Sequence, residues 1–104
     1  MRELMAIIKL GTLYCYTTED NIGGDHPYLK LDGEKVWGPV RMTDGQSERI
    51  GATHGFSGSV VVELFEEDDL DPDDLLGRHT LSEGSGKVEF ARDGAHYVLD
   101  YEIN

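Results

Sequence analysis

The sequence predicts an all-β protein, an antiparallel β-sandwich of seven or eight strands. Short runs rich in β-branched and aromatic residues are separated by clusters of Gly, Asp and Asn, which is how strands and turns read. No stretch carries the apolar period of an amphipathic helix. Between His96 and Ile103, Tyr97, Leu99, Tyr101 and Ile103 share one face and His96, Asp100 and Glu102 the other, the alternation of a sheet with one wet side. At 104 residues the chain is expected to form one domain over 1–104, with a modest core.

The elements follow in order. Met5 to Tyr16 reads as a long first strand, interrupted or bulged at Gly11, where a missing side chain weakens regular pairing. Glu19 to His26 is a loop. Tyr28-Leu29-Lys30-Leu31 and Lys35-Val36-Trp37 form a hairpin around Asp32-Gly33, a pair that tolerates the positive φ of a tight turn. Thr43-Asp44-Gly45 is the next turn, and 46–56 alternates weakly with Ile50 and Phe56 as anchors. Gly58 to Phe65, with three consecutive valines, is the strongest strand and belongs at the centre of a sheet. Gly77 to Leu81 is a short strand, and Lys87 to Ala91 pairs with His96 to Ile103 across Arg92-Asp93-Gly94-Ala95.

Charge narrows the function. With 21 acidic against 9 basic residues the chain carries a formal charge of −12, which opposes direct binding of nucleic acid, since that needs Lys and Arg against phosphate. An anionic membrane would repel it as well, unless a cation intervened. No apolar window of about 18 residues exists, and Leu4-Met5-Ala6-Ile7-Ile8 is too short for a secretory signal, so a soluble protein that is not transmembrane is expected. Cys15 is the single cysteine, which excludes an internal disulfide and a cysteine-based zinc site without assigning a compartment.

The acidity is uneven. Residues 66–74, Glu66-Glu67-Asp68-Asp69-Leu70-Asp71-Pro72-Asp73-Asp74, hold seven carboxylates directly after the valine strand. Carboxylates so close oppose one another's ionisation unless a cation sits among them. Evenly spread acids would serve surface hydration; a cluster calls for an ion. Ca²⁺ suits it, taking about 6–8 oxygen ligands in the irregular geometry a loop supplies, whereas Mg²⁺ demands near-octahedral order. Loops at one end of a sandwich can converge, and a second acidic loop, Glu19-Asp20-Asn21-Ile22-Gly23-Gly24-Asp25-His26, precedes Pro27-Tyr28-Leu29-Lys30-Leu31.

These two loops resemble those of C2 domains. Asp20 to Pro27, running into Tyr28-Leu29-Lys30-Leu31, is similar to the first calcium loop of that family, which closes on Asp-Pro-Tyr-Val-Lys-Val. Leu64 to Gly77 is similar to the third, in which a strand enters Asp-x-Asp and, after a short loop, Asp precedes two apolar residues and Gly. The resemblance places Glu66, Asp68 and Asp74 at ligand positions, with Asp71 where an accessory ligand lies. Two positions depart from the pattern: His26 stands where the family has its second first-loop Asp, and Glu66 replaces an Asp. Imidazole is a poor Ca²⁺ ligand, so either Asp25 would have to reach inward or the site would lose one oxygen. The implied ligand set is Asp20, Asp25, Glu66, Asp68 and Asp74, with Asp71 and Asp73 auxiliary or serving a second ion. Gly23 and Gly24 would turn carbonyls towards the ion, and Pro72 would stiffen the acidic loop.

Other chemistry is not indicated. His26, His54, His79 and His96 lack ligand spacing for zinc. Cys15 reads as a core residue and Trp37 as a core or sheet-end aromatic. Ser57, Ser59, Ser82 and Ser85 lie in turns without a nucleophile's context, and Gly84-Ser85-Gly86 is followed by no helix that could hold phosphate. The chain is therefore expected not to be an enzyme. It reads as a calcium-binding module in which the ion stabilises the fold and brings the neutralised tip to a protein partner or an anionic lipid surface, bridged by calcium. Ile22 and Leu70 are apolar in polar loops, and either enter such a surface or fold back over the sandwich. The alternative is an acidic interaction protein or inhibitor that engages a basic surface without calcium, as a nucleic-acid mimic would. A structural subunit with no ligand is the third reading. The edge of the Tyr97–Ile103 strand could pair between copies, though nothing demands it.

Overall fold

The computed structural model describes residues 5–19 and 23–104. Asp20 and Ile22 lie outside the described residues. The strands are β1 (Ala6–Thr17), β2 (Pro27–Leu31), β3 (Glu34–Trp37), β4 (Ser47–Arg49), β5 (Thr53–Phe56), β6 (Val60–Glu66), β7 (Asp74–Leu81), β8 (Ser85–Phe90) and β9 (His96–Ile103). They form two antiparallel sheets. One runs β4-β1-β9-β8, with β5 also on β1; the other runs β3-β2-β6-β7. Their inner faces enclose one core, drawn from Leu10 and Leu13 of β1, Leu29 of β2, Leu64 of β6, Leu76 of β7, Phe90 of β8 and Leu99 of β9.

The parity of β1 explains its bulge. Ile8 and Leu10 are buried, and so are Leu13 and Cys15, so even and odd positions face the same core. A strand of period two permits this only by absorbing a residue. The register with β9 shifts between Leu10 and Leu13, and Asp100 Oδ1 accepts the Thr12 N–H at 3.1 Å inside the irregularity. The predicted single segment over 46–56 divides for the same reason. β4 pairs with β1 beyond the bulge and β5 pairs with it before the bulge, while Ile50 and Gly51 bond the carbonyls of Gly11 and Leu10 between them.

The hairpin at Asp32-Gly33 is as expected, with φ of 51° and 82°, both positive as a tight turn between twisted strands requires. The valine strand is central, flanked by β2 and β7. Glu63, a buried charge in that strand, is held by its cross-strand neighbour Arg78, whose Nη2 donates to Glu63 Oε2 at 2.7 Å. Cys15 is buried, and Trp37 packs half-buried against the core.

One boundary differs in a way that bears on function. β7 begins at Asp74, not at Gly77, so the acidic run passes directly into a strand and Asp74 stands opposite Glu66. Charged residues hide a strand from a reading based on apolar alternation. Gly77 is buried beneath Phe90, where an added Cβ would lie 2.8 Å from the ring and 3.0 Å from the Phe90 Cα. Gly77→Ala is therefore expected to push β8 from β7 and cost about 1–3 kcal/mol, read as a lower midpoint in urea unfolding.

Candidate metal centre

Four connections meet at one end of the sandwich. The first loop, 18–26, is tied to the second, 38–46, by paired backbone bonds between Asp25 and Met42 at 2.9 Å and by Thr18 N–H to Asp44 Oδ1 at 2.8 Å. It is tied to the third, 67–73, by Glu67 N–H to the His26 carbonyl at 3.1 Å. The fourth, the β8–β9 turn, joins through Arg92 N–H to the Leu76 carbonyl at 3.0 Å.

Glu19, Asp74 and Asp93 each bring a carboxylate oxygen to this end, and the three oxygens lie within 4.8 Å of one another. Glu19 Oε2 is buried without a hydrogen-bond partner. Burial first, then the neighbouring Asp74 carboxylate, and the charges of Glu66 and Asp25 push the Glu19 carboxyl up to about 8. Glu66, half-buried at the end of β6, is pushed up to about 7 by burial and by Asp25, with Asp68 and Asp74 adding to the rise and the His26 backbone N–H opposing it. Next to this cluster is an open cavity of about 330 Å³ lined by Glu19, Gly24, His26 and residues 66–70. Three carboxylate oxygens this close together, beside a buried Glu19 oxygen without a partner, make a donor set that suits a hard divalent cation.

The expected ligands are distributed unequally. Asp74 lies in the cluster and Glu66 borders it across the β6–β7 pair. Asp68 lines the cavity, but its Oδ1 also accepts the N–H groups of Leu70 and Asp71 at 3.2 and 3.4 Å, shaping the loop. Asp73 accepts the Tyr28 hydroxyl at one oxygen and the Asp68 N–H at the other, at 3.0 Å. These donors hold its carboxyl below the usual range, the Tyr28 hydroxyl first, and clasp the loop to the outer face of β2. Asp71 is exposed. Asp25 is fully buried, its Oδ2 accepting the Glu19 N–H at 2.9 Å. The Gly23 carbonyl is taken by Arg41 Nε at 2.9 Å. Leu70 is 95 % exposed at the tip and does not fold back over the sandwich.

Glu19 and Asp93 were not among the expected ligands. Asp93 sits in what reads as an ordinary Asp-Gly turn, and its φ of 57° fits that role. Its signal is topological: in an alternating sandwich, the turn between the last two strands returns to the end where the first and third loops lie.

No protein-family model matches the sequence, and no curated protein matches it. Solved structures do match in shape. A C2 domain of plant extended synaptotagmin 1 superposes with a TM-score of 0.64 at 14 % identity, over 99 % of this chain and 95 % of that one. A structure described as a C2 domain matches at 0.58 and 14 % identity, over 96 % and 97 %. The paired C2 domains of extended synaptotagmin 2 match at 0.61 and 17 % identity, over all of this chain and 42 % of theirs. Two antiparallel sheets, and a shape shared with single C2 domains along nearly the whole length of both chains, make this a C2-like β-sandwich in fold.

Proposed function

We propose that the acidic end of this sandwich binds Ca²⁺, with Glu19, Glu66, Asp68, Asp74 and Asp93 supplying oxygens and Asp20 joining them on the sequence resemblance. The observation that carries the reading is the approach of Glu19, Asp74 and Asp93 oxygens to within 4.8 Å, together with a buried, unpaired oxygen on Glu19. A bound ion replaces mutual repulsion by coordination and draws four loops together. The protein is then a binding module, not an enzyme, and its stability rises with calcium by mass action. Once neutralised, the tip presents Leu70 to an anionic lipid surface, with the ion bridging carboxylates and headgroups. Among the described residues no helix is long and apolar enough to cross a membrane.

The test is thermal unfolding in EDTA and then with Ca²⁺ or Mg²⁺ up to about 10 mM at constant ionic strength. At a hundredfold excess over Kd, Ca²⁺ should stabilise by about 2.7 kcal/mol, a rise on the order of 10 °C, with little effect of Mg²⁺. Indifference to both ions would overturn the reading and favour an acidic surface that engages a basic partner.

A further inference from the structure

A carboxylate at zero exposure is costly unless donors surround it. Asp25 is such a group, at the base of the first loop. Tyr97, itself fully buried on β9, donates its hydroxyl to Asp25 Oδ2 at 2.6 Å. The same oxygen accepts the Glu19 N–H at 2.9 Å, and the Asp25 backbone is paired in both directions with Met42 of the second loop. Tyr97 stands opposite the buried Cys15 of β1 in the β1–β9 ladder, so the donor is seated in the core by both strands. A chain of contacts thus runs from two core strands through one buried carboxylate to the backbone of Glu19.

We infer that Tyr97 is a positioning residue for the metal centre: through Asp25 it sets where the first loop presents Glu19, and Asp25 is a buried anchor for that loop and not a ligand of the ion. The inference rests on the proposed calcium reading only for its effect on affinity. Its effect on the loop stands on the geometry alone. Asp25 has no free face towards solvent, and its oxygen is committed to Tyr97 and Glu19. Losing the hydroxyl leaves the ring's packing intact and removes one donor from the anchor. The Glu19 segment then samples more positions, and the ion must order it on binding.

The test compares the wild-type protein with Tyr97→Phe, Asp25→Asn and the double variant. Amide hydrogen exchange at Glu19 in EDTA should quicken by at least about tenfold in either single variant, while far-UV circular dichroism is unchanged. Calorimetric titration with Ca²⁺ should show affinity about tenfold weaker in Tyr97→Phe, and Tyr97→Phe should add little in the Asp25→Asn background, because the two act as one unit. A core truncation elsewhere, Leu31→Ala, should lower stability without moving the Ca²⁺ affinity measured well below melting. Unchanged Glu19 exchange in Tyr97→Phe overturns the anchor, whatever calcium does. Should Tyr97→Phe not fold, Asp25→Asn decides by the same exchange. Complete loss of Ca²⁺ binding in Asp25→Asn with normal exchange would make Asp25 a ligand and overturn the inference. A wild-type protein that ignores Ca²⁺ would remove the ion, whereas faster Glu19 exchange in the variants would still establish the anchor.

Discussion

Asp74→Asn is expected to erase the rise in melting temperature that Ca²⁺ confers and, in EDTA, to raise the melting temperature itself. The two effects have one origin. Asp74 shares the cluster with Glu19 and Asp93 and stands opposite Glu66 across the β6–β7 pair, so under the proposed function its charge both contributes to cation binding and is a burden without the cation. Like charges about 5 Å apart in a partly wet site repel by on the order of 1 kcal/mol after screening. For a domain of this size that is a gain of about 4–8 °C in EDTA. The gain should grow with pH, because the proton that Glu19 retains near neutrality already relieves part of the repulsion. Glu34→Gln is the matched control: it removes the same charge from an exposed position on β3, away from the four loops, and should leave the calcium response whole. Equal behaviour of the two variants would mean that overall charge, not the cluster, governs stability.

Calcium affinity should rise steeply with pH through neutrality, while the calcium-free protein should lose stability over the same range. Glu19 is raised from 4.5 to about 8 and Glu66 from 4.5 to about 7. A carboxyl raised on folding holds its proton in the native state after the unfolded chain has released it. Stability without calcium is therefore greatest near the unfolded value and falls as pH climbs through the folded ones, from about 4.5 to about 8. Calcium must displace those protons, so each one displaced gives up to about tenfold in affinity per pH unit. Titration calorimetry near neutrality in two buffers of different ionisation enthalpy should detect release of about one proton per ion. A flat pH profile with no proton released would mean that Glu19 and Glu66 take no part in binding.

Much of the fold is legible in the sequence because it follows from local chemistry. Asp32-Gly33 marks a turn by its backbone freedom, Val60-Val61-Val62 marks a central strand by its apolar run, and Tyr97 and Leu99 face the core by alternation. The start of β7 escapes such a reading, since Asp74 carries no apolar signal and is recruited into the ladder by Glu66 across from it. At the acidic end, composition and motif name only part of the carboxylate cluster that the structure brings together. Asp74 follows from the motif, whereas Glu19 and Asp93 are brought to it by the convergence of loops distant in sequence. Asp25 shows the converse. Its place in the loop makes it an expected ligand, and the structure buries it fully, with its Oδ2 accepting the hydroxyl of Tyr97 from far along the chain.

The seating of β9 between β1 and β8 has a temporal meaning. The first strand of the chain has the last as its long partner, and Ile7 and Asn104 close the ladder with reciprocal backbone bonds at 2.9 and 3.0 Å. A ribosome emitting this polypeptide releases β1 first and can complete its sheet only after β9 has emerged. Until then Ile8, Leu10, Leu13 and Cys15 have no β9 to pair with, and their strand is exposed to wrong partners. Closing so long a loop to form the β1–β9 ladder places folding in the millisecond-to-second class typical of β-sandwiches. The pairing that unites the two ends also makes them neighbours, the arrangement that lets a domain be permuted, or inserted into a host chain, without parting its sheets.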